Sequence, residues 1–308
     1  MSLLISVFKD LFTRKNQPAL VASNGGRSPQ SYFDAAFAKL EVGDIAGAQE
    51  IHAELVANFG PSPIADELTF AIHSITLQKR FPGPNYLVWL TWFHTILKPR
   101  NYVEIGVESG KSLANARSPT RAIGIDPSIQ IVHTQEAWVK LFKLTSDDFF
   151  QQQNLKELLA PDPLEFGFID GLHTFDQALK DFINLERFST PETVILFHDI
   201  FPVIPITAAR ERVSTLWLGD TWKVIVTLVK YRPDLKISTI PAYPSGLAVV
   251  TNLDAANDML HNDYDRIYNE AMALTLEDYL PAMEKHLNVV ANDFTLVQRL
   301  LEVRKKQA

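Results

Sequence analysis

The chain has 308 residues, of which 46% are hydrophobic and 21% are charged, as is typical of a globular protein with about two domains. A net charge of -7 without a dense Lys/Arg cluster argues against nucleic-acid binding. The absence of cysteine excludes disulfides, thiolate metal sites and a cysteine nucleophile, and it permits a reducing compartment, so we expect a cytoplasmic protein. No apolar run reaches the roughly 18 residues that a membrane-spanning helix needs.

Residues 1–30 predict an amphipathic helix followed by a flexible linker. One helical face carries four apolar side chains: Leu4, Phe8, Leu11 and Phe12. Such a helix docks on its own domain or on a partner, or it makes a peripheral membrane contact, and the sequence leaves these alternatives open. Residues 17–30 are rich in Asn, Gly, Ser and Pro, which is typical of a linker.

Residues 31–84 predict a helical hairpin and one further helix. Apolar residues recur at helical spacing in the first helix: Phe33, Ala36, Phe37 and Leu40. A second helix ends at Gly60-Pro61, and a third covers Ile64–Leu77. The hairpin is similar to one tetratricopeptide unit, and a lone unit cannot bury both of its faces. We therefore expect it to pack on the rest of the chain as a cap, with a peptide-binding array as the alternative.

Residues 85–253 predict an α/β core. The run Tyr86–Leu97 is apolar almost all round and predicts a buried helix. Five predicted strands then alternate with helical stretches: Tyr102–Gly106, Ala122–Asp126, Val139–Thr145, Phe166–Asp170 and Val194–His198. Two more strands, Lys236–Ile240 and Gly246–Thr251, are predicted to pair and close the sheet. The alternation favours a doubly wound, mostly parallel seven-stranded sheet with helices on both faces.

Two further segments predict helices. Residues 208–218 are expected to form one between the fifth and sixth strands. The tail, residues 254–308, shows helical periodicity and is expected to form a C-terminal extension.

The segment NYVEIGVESGKS, residues 101–112, predicts a strand, a glycine turn and the start of a helix. Bare backbone at Gly106 and Gly110 lets a ligand approach closely, and the N–H groups of a following helix would attract its polar groups. Asp126 ends the second strand twenty residues after Gly106 (126 minus 106). An acidic side chain at this separation accepts hydrogen bonds from ribose hydroxyls, so the segment predicts a nucleoside site.

Three nucleotide ligands compete for this site. A P-loop would need glycine where Ile105 stands, and a dinucleotide fingerprint would need glycine where Glu108 stands. A carboxylate at that position repels a pyrophosphate, which disfavours NAD and FAD. S-adenosylmethionine brings no phosphate, and its ammonium group could be held by Glu104 or Glu108.

Five segments resemble one known family when they are taken in order: VEIGVESGKSL, AIGIDPS, KLTSDDFF, FGFIDGLHTFDQALKDF and VILFHDI. They are similar to class I S-adenosylmethionine-dependent methyltransferases, which have a Rossmann-like fold. Within that class they look like the branch of the macrocin-type sugar O-methyltransferases. The resemblance covers residues 86–253 and leaves the N-terminal hairpin unexplained.

The resemblance implies a role for each matched position along the cofactor. Gly106 and Gly110 would line the methionine moiety, in the turn that also carries Ser109, and Asp126 would bind the ribose. Two residues after the third strand, Ser146 and Asp147, would lie beside the adenine. One residue, Asp170, would lie at the end of the fourth strand, close to the transferred methyl group.

The resemblance also implies a metal site, because related O-methyltransferases bind Mg²⁺ with acidic residues after the fourth and fifth strands. The positions here are Asp170, His198 and Asp199. A divalent cation lowers the pKa of an acceptor hydroxyl and orients its attack. Mg²⁺ is the expected ion, but imidazole suits Zn, Fe or Ni better, so another metal or none remains open. His173, three residues past Asp170, is the candidate general base.

The sequence therefore predicts an S-adenosylmethionine-dependent O-methyltransferase that acts on a small acceptor, a sugar or polyol-like molecule, without nucleic acid. The alternatives are a non-catalytic module that binds the cofactor or a glycan, and a nicotinamide-dependent oxidoreductase. A homo-oligomer is left open.

Structural roles compete with the proposed functional ones at several positions. Asp170 or His173 could cap the following helix, and His198 could form a structural pair with Asp199. Asp147 and Asp148 are expected to cap a helix. Two tryptophans, Trp217 and Trp222, are expected in the core, and no role is assigned to four histidines: His52, His73, His94 and His133.

Overall fold

The computed structural model describes residues 27–305, so the predicted amphipathic helix lies outside the described residues. Four helices precede the sheet: α1 Pro29–Glu41, α2 Ile45–Phe59, α3 Pro63–Arg80 and α4 Tyr86–Leu97. Each begins where a polar side chain accepts a backbone N–H: Ser28, Asp44, Ser62 and Asn85. The predicted hairpin and third helix are thus present, and no helix within the described range is long and apolar enough to cross a bilayer.

The sheet has seven strands: β1 Asn101–Ile105, β2 Arg121–Ile125, β3 Trp138–Phe142, β4 Phe166–Ile169, β5 Val194–His198, β6 Lys236–Ile240 and β7 Leu247–Thr251. Their order is β3-β2-β1-β4-β5-β7-β6, and only β7 runs antiparallel to its neighbours. This confirms the predicted doubly wound sheet. Because the winding direction reverses between β1 and β4, the carboxyl ends of these two strands flank the crevice where such sheets bind ligands.

Helices lie between the strands, and further helices form the C-terminal part of the chain. Between strands lie α5 Ser146–Gln152, α6 Leu155–Leu159, α7 Phe175–Glu186 and α8 Trp222–Tyr231. After β7 come α9 Met259–Asn262, α10 Tyr264–Met272, α11 Leu276–Tyr279, α12 Met283–His286 and α13 Phe294–Lys305. The start of α13 packs on α4, where Phe294 stacks on Trp92 at a centroid distance of 5.3 Å. The tail is therefore helical, as predicted, and is fixed to the core.

The predicted helix after β1 is wrong: the chain forms only a single 3₁₀ turn there, Leu113–Asn115. Asn115 Nδ2 donates to the backbone oxygen of Ser112, a local bond that competes with helical hydrogen bonding. Ser118 precedes Pro119, and the residue before a proline disfavours the helical conformation. The glycine turn consequently lacks a helix N-terminus behind it.

The predicted helix over residues 208–218 is also wrong, because the chain there is irregular after the 3₁₀ turn Pro205–Ala208. Side chains bond to nearby carbonyls instead, as Ser214 Oγ does to Leu216 O and Trp217 Nε1 to Ala209 O. The third strand ends earlier than predicted because Thr145 caps α5, accepting the N–H of Asp148. Thr145 therefore has the capping role that was expected of Asp147 and Asp148.

Stability is expected to fall in acid because of His94, which is 6% exposed between the rings of Tyr102 and Phe166. Neither ring nitrogen has a hydrogen-bond partner within residues 27–305. Burial, assisted by Arg117, lowers the pKa of His94 to about 3 from its usual 6.5. The unfolded chain thus binds the proton more readily, so stability present above pH 6.5 is lost as pH falls. We expect a loss of about 2 kcal/mol between pH 7 and pH 5 from this group.

Urea unfolding at both pH values checks this expectation. The variant His94→Leu fills a similar volume without a titrating group, so the difference between pH 7 and pH 5 should shrink by that amount. An unchanged pH dependence in His94→Leu would contradict the assignment.

Candidate active site

One cavity of about 730 Å³ opens at the carboxyl ends of β1, β2, β4 and β5. Ten of the predicted site residues line it: Gly106, Glu108, Ser109, Asp126, Ser146, Asp147, Asp170, His173, His198 and Asp199. Glu104 and Gly110 do not line it. Asp126, the predicted ribose-binding residue, lies in one part of the cavity wall, and Asp170 lies with the acidic and histidine side chains in another.

The glycine turn lies directly against the end of β4. Gly106 has φ 93°, and a Cβ at this position would lie 1.9 Å from the backbone oxygen of Asp170. Only glycine fits such an approach. Asp126 fixes the far side of the turn, because its Oδ2 accepts the N–H of Glu108 at 2.9 Å and its Oδ1 accepts the N–H of Ser128 at 2.5 Å. The carboxylate is thus held at the cavity wall.

Glu104 supports the turn from beneath. Its side chain is fully buried and accepts hydrogen bonds from Tyr102 Oη and Ser112 Oγ, both at 2.6 Å. Burial raises the pKa of Glu104 to about 8 in spite of these hydrogen bonds. Of the two carboxylates considered for the ammonium group, Glu108 is the one that lines the cavity.

Gln177 on α7 organises the wall near Ser146 and Asp147. Its Nε2 lies 3.0 Å from Ser146 Oγ, 3.0 Å from Asp147 Oδ1 and 3.1 Å from Asp181 Oδ1. Asp181 is 1% exposed, and burial raises its pKa to about 7. Gln177 was not predicted as a site residue, because its contacts with Ser146 and Asp147 cross from α7 to α5.

At the other end, Asp170, His173 and Asp199 each offer a ligand atom, and these atoms lie within 4.8 Å of one another. His173 Nε2 lies 3.1 Å from Asp199 Oδ2 and 3.8 Å from Asp170 Oδ1. His173 Nδ1 lies 2.7 Å from the backbone oxygen of Trp217. A carbonyl only accepts, so Nδ1 carries a proton, and Nε2 is the ring nitrogen that faces the two carboxylates.

His198 is buried between the two carboxylates. Its Nδ1 lies 3.1 Å from Asp170 Oδ1 and 3.3 Å from Asp199 Oδ2, and its Nε2 lies 3.1 Å from Ser245 Oγ. Burial opposes the charged form, but Asp199 and Asp170 raise the pKa of His198 to about 10. An imidazolium donates from both nitrogens. His198 therefore balances the charge of the two aspartates and is not one of the three converging groups.

The two aspartates differ in their ionisation. Burial raises the pKa of Asp170, with His198 opposing the shift. For Asp199 burial also acts upwards, but His198 and His173 hold the pKa well below its usual range. The side chains are 18% and 10% exposed respectively, so Asp199 is the more enclosed and the more firmly ionised.

Aromatic walls complete this end of the cavity. Trp217 was expected in the core but lines the cavity, where its ring stacks on that of His173 at a centroid distance of 5.2 Å. Trp222 is in the core, as predicted. Tyr86 covers His198 with a centroid distance of 4.3 Å. Both aromatic residues lie within residues 86–253, which the resemblance covers, but only the fold reveals their contacts with the two histidines. Asp220 Oδ1 accepts the first N–H of α7, from Phe175. Asp220 therefore has the capping role that was considered for Asp170 and His173.

The sheet order and the cavity at these strand ends agree with the Rossmann-like fold that the sequence predicts. Residues 103–200 match the family profile described as "Methyltransferase domain". The matched range begins in β1 and ends just after β5, so it includes the glycine turn, Asp126 and the acidic cluster. No curated protein is significantly similar to the chain in sequence.

Solved structures of similar fold include several methyltransferases. An O-methyltransferase from Bacillus cereus in complex with SAH has 16% identity and a TM-score of 0.39, covering 68% of this chain and 99% of that one. The O-methyltransferase TomG from Streptomyces achromogenes, involved in tomaymycin synthesis and bound to SAM, has 14% identity and a TM-score of 0.42, covering 60% and 90%. These are distant structural similarities.

Proposed function

We propose that the protein is an S-adenosylmethionine-dependent methyltransferase that methylates a hydroxyl group. The observation that carries the proposal is one continuous cavity with Asp126 and Ser146 at one end and the Asp170, His173 and Asp199 cluster at the other. S-adenosylmethionine supplies an electrophilic methyl group on a positively charged sulfur. Acidic walls without a phosphate cradle suit such a cationic, phosphate-free cofactor.

The chain's own residues divide the binding of the cofactor between them. Asp126, held by two backbone N–H groups, offers its remaining lone pairs to the ribose hydroxyls. Ser146 and Asp147 lie at the adenine position, where Gln177 fixes their side chains. The glycine turn at Gly106 lines the cavity where the methionine moiety would lie, and Glu108 would face its ammonium group.

A divalent cation fits the acidic end. Asp170, Asp199 and His173 Nε2 would hold it, and the bond from His173 Nδ1 to a backbone carbonyl is the usual support of a metal-binding histidine. Two carboxylates and one imidazole suit Mn²⁺, Fe²⁺ or Zn²⁺ as well as Mg²⁺. The ion would lower the pKa of the acceptor hydroxyl.

The same nitrogen of His173 also serves the metal-free alternative. There Nε2 accepts the proton of the acceptor hydroxyl, and Asp199 Oδ2 at 3.1 Å stabilises the resulting imidazolium. One lone pair cannot do both, so activity after exhaustive chelation decides between ligand and base.

The acceptor is inferred to be a sugar or polyol-like molecule. The sequence resemblance supports this, and so do Tyr86 and Trp217, which offer aromatic faces next to the polar cluster. An amphipathic wall of this kind suits a ring with one apolar face and several hydroxyls.

Cofactor binding is tested by calorimetry and thermal shift with S-adenosylhomocysteine and NAD. We expect S-adenosylhomocysteine to bind and to stabilise the protein. The variant Asp126→Ala should bind it roughly 10–100-fold more weakly, because hydrogen bonds to a charged group contribute about 1.5–3 kcal/mol. Asp148→Ala is the control, since Asp148 is near the adenine wall but does not line the cavity. Stabilisation by NAD and none by S-adenosylhomocysteine would refute the proposal.

A further inference from the structure

We infer that Ser245 and His73 are positioning residues for the acidic cluster. They act through residues 243–246 of the β6–β7 connection, named the 243–246 turn below. The inference rests on the proposed function for its purpose, because the cluster matters only if it serves methyl transfer. It gives the N-terminal helices, which the sequence left without a role, a direct link to the cavity.

The backbone of Ser245 holds Asp199 in its conformation. Asp199 has φ 55°, a left-handed backbone that a non-glycine residue adopts at a cost. The next two residues, Ile200 and Phe201, both donate their N–H to the backbone oxygen of Ser245, at 3.1 and 2.9 Å. These two bonds fix the chain immediately after Asp199 and so direct its carboxylate towards His173.

The side chain of Ser245 contacts both His198 and Asp199. Its hydroxyl is fully buried, lies 3.1 Å from His198 Nε2 and hydrogen-bonds to the Asp199 carboxylate. A hydroxyl can donate one hydrogen bond and accept another, so Ser245 Oγ can bond to Asp199 and to His198 at the same time. Ser245 therefore satisfies the face of His198 that the aspartates do not reach.

The 243–246 turn is itself held from outside the sheet. Tyr243 O accepts the N–H of Tyr86, whose ring covers His198. Pro244 O accepts from His73 Nε2 at 2.7 Å. Each carbonyl from Tyr243 to Ser245 thus has a donor, and the donor for Pro244 comes from α3.

His73 is completely buried and lies 171 residues before its partner in the sequence. A second buried histidine of the same helical layer, His52 on α2, has its partners within the layer: Thr69 Oγ1 at 2.7 Å and the backbone of Ala65. The two histidines share burial and location but differ in whether they contact the 243–246 turn. They form a matched pair for experiment.

The experiment compares Ser245→Ala, His73→Leu, His73→Gln and the control His52→Leu, all in the full chain. Mn²⁺ is the metal probe. Its affinity is measured by calorimetry, by titration into protein that already holds S-adenosylhomocysteine. The ¹⁵N resonances of the His198 imidazole are recorded in the ligand-free protein.

Ser245→Ala should weaken Mn²⁺ binding roughly 10–100-fold, the usual effect of removing a group that orients a metal ligand. His73→Leu should weaken it about 10-fold. His73→Gln keeps a donor near the position of Nε2 and should restore it to within about threefold. S-adenosylhomocysteine affinity should stay within about threefold throughout. His198 resonances should shift in Ser245→Ala and His73→Leu and return in His73→Gln.

Wild-type Mn²⁺ affinity and unchanged His198 resonances in Ser245→Ala and His73→Leu would overturn the inference. Equal losses in His73→Leu and His52→Leu would also overturn it for His73, because they would show only a general loss of stability. Ser245→Cys, close in size and weaker in hydrogen bonding, replaces Ser245→Ala if that variant fails to fold. If wild-type protein binds neither S-adenosylhomocysteine nor Mn²⁺, the proposed function fails, and the His198 resonances still decide the inference.

Discussion

Asp199→Asn is expected to lower methyl transfer by roughly 10²–10⁴-fold while S-adenosylhomocysteine affinity stays within about threefold. The amide removes the negative charge that converges with Asp170 and faces His173 Nε2. It also places a donor where His198 already donates. Asp199 contacts His173 and His198, whereas Asp126 bonds to the backbone of the glycine turn, so cofactor binding should survive. Transfer of a radiolabelled methyl group to a panel of sugars and polyols, with calorimetry alongside, measures both quantities.

Asp176→Asn is the matched control for this variant. Asp176 is also a partly buried aspartate in an ion pair, with Arg210, but it does not line the cavity. It should keep activity within a few-fold. Full activity in Asp199→Asn would contradict the assignment of the acidic end as the site of chemistry.

Gly106→Ala is expected to destabilise the fold by about 4 kcal/mol or more and to abolish S-adenosylhomocysteine binding. The added Cβ would lie 1.9 Å from Asp170 O and 2.7 Å from Gly171 N, and backbone atoms cannot move aside as a flexible side chain can. Relief of the clash would separate the glycine turn from the end of β4, the two segments that form the cavity floor. Urea unfolding and calorimetry measure the two effects.

Gly60→Ala separates backbone strain from the clash. Gly60 also has positive φ, 73°, but a Cβ there would meet no atom within 4 Å. Its substitution should cost about 1–3 kcal/mol from backbone conformation alone and leave ligand binding unchanged. Equal destabilisation in both variants would show that the contact with Asp170 is unimportant.

The strands were predictable because each is a short apolar run between turn residues, and parallel strands keep their ligand-facing ends together. Asp126, Asp170 and Asp199 could therefore be assigned to one crevice from sequence alone, and the structure places all three around one cavity. The pairing of β6 with β7 followed from two strands separated by a short Pro-rich segment.

The two wrongly predicted helices lie where side chains hydrogen-bond to nearby backbone carbonyls in place of helical hydrogen bonds. Residues 113–116 and 208–218 have helical composition, but Asn115 and Ser214 bond to neighbouring backbone carbonyls there. Contacts made only by the fold were equally invisible. The bond of His73 to Pro244 and that of His173 to Trp217 join distant parts of the chain, and no periodicity or motif encodes them.

The single 3₁₀ turn after β1 bears on which molecules compete for the cavity. ATP and NAD both contain the adenosine half of S-adenosylmethionine, the proposed cofactor. A helix N-terminus behind the glycine turn would bind their phosphates favourably, but the 3₁₀ turn Leu113–Asn115 is too short to provide one. The carboxylate of Glu108 would also repel the phosphates. The protein is therefore expected to bind the proposed cofactor in preference to these two nucleotides.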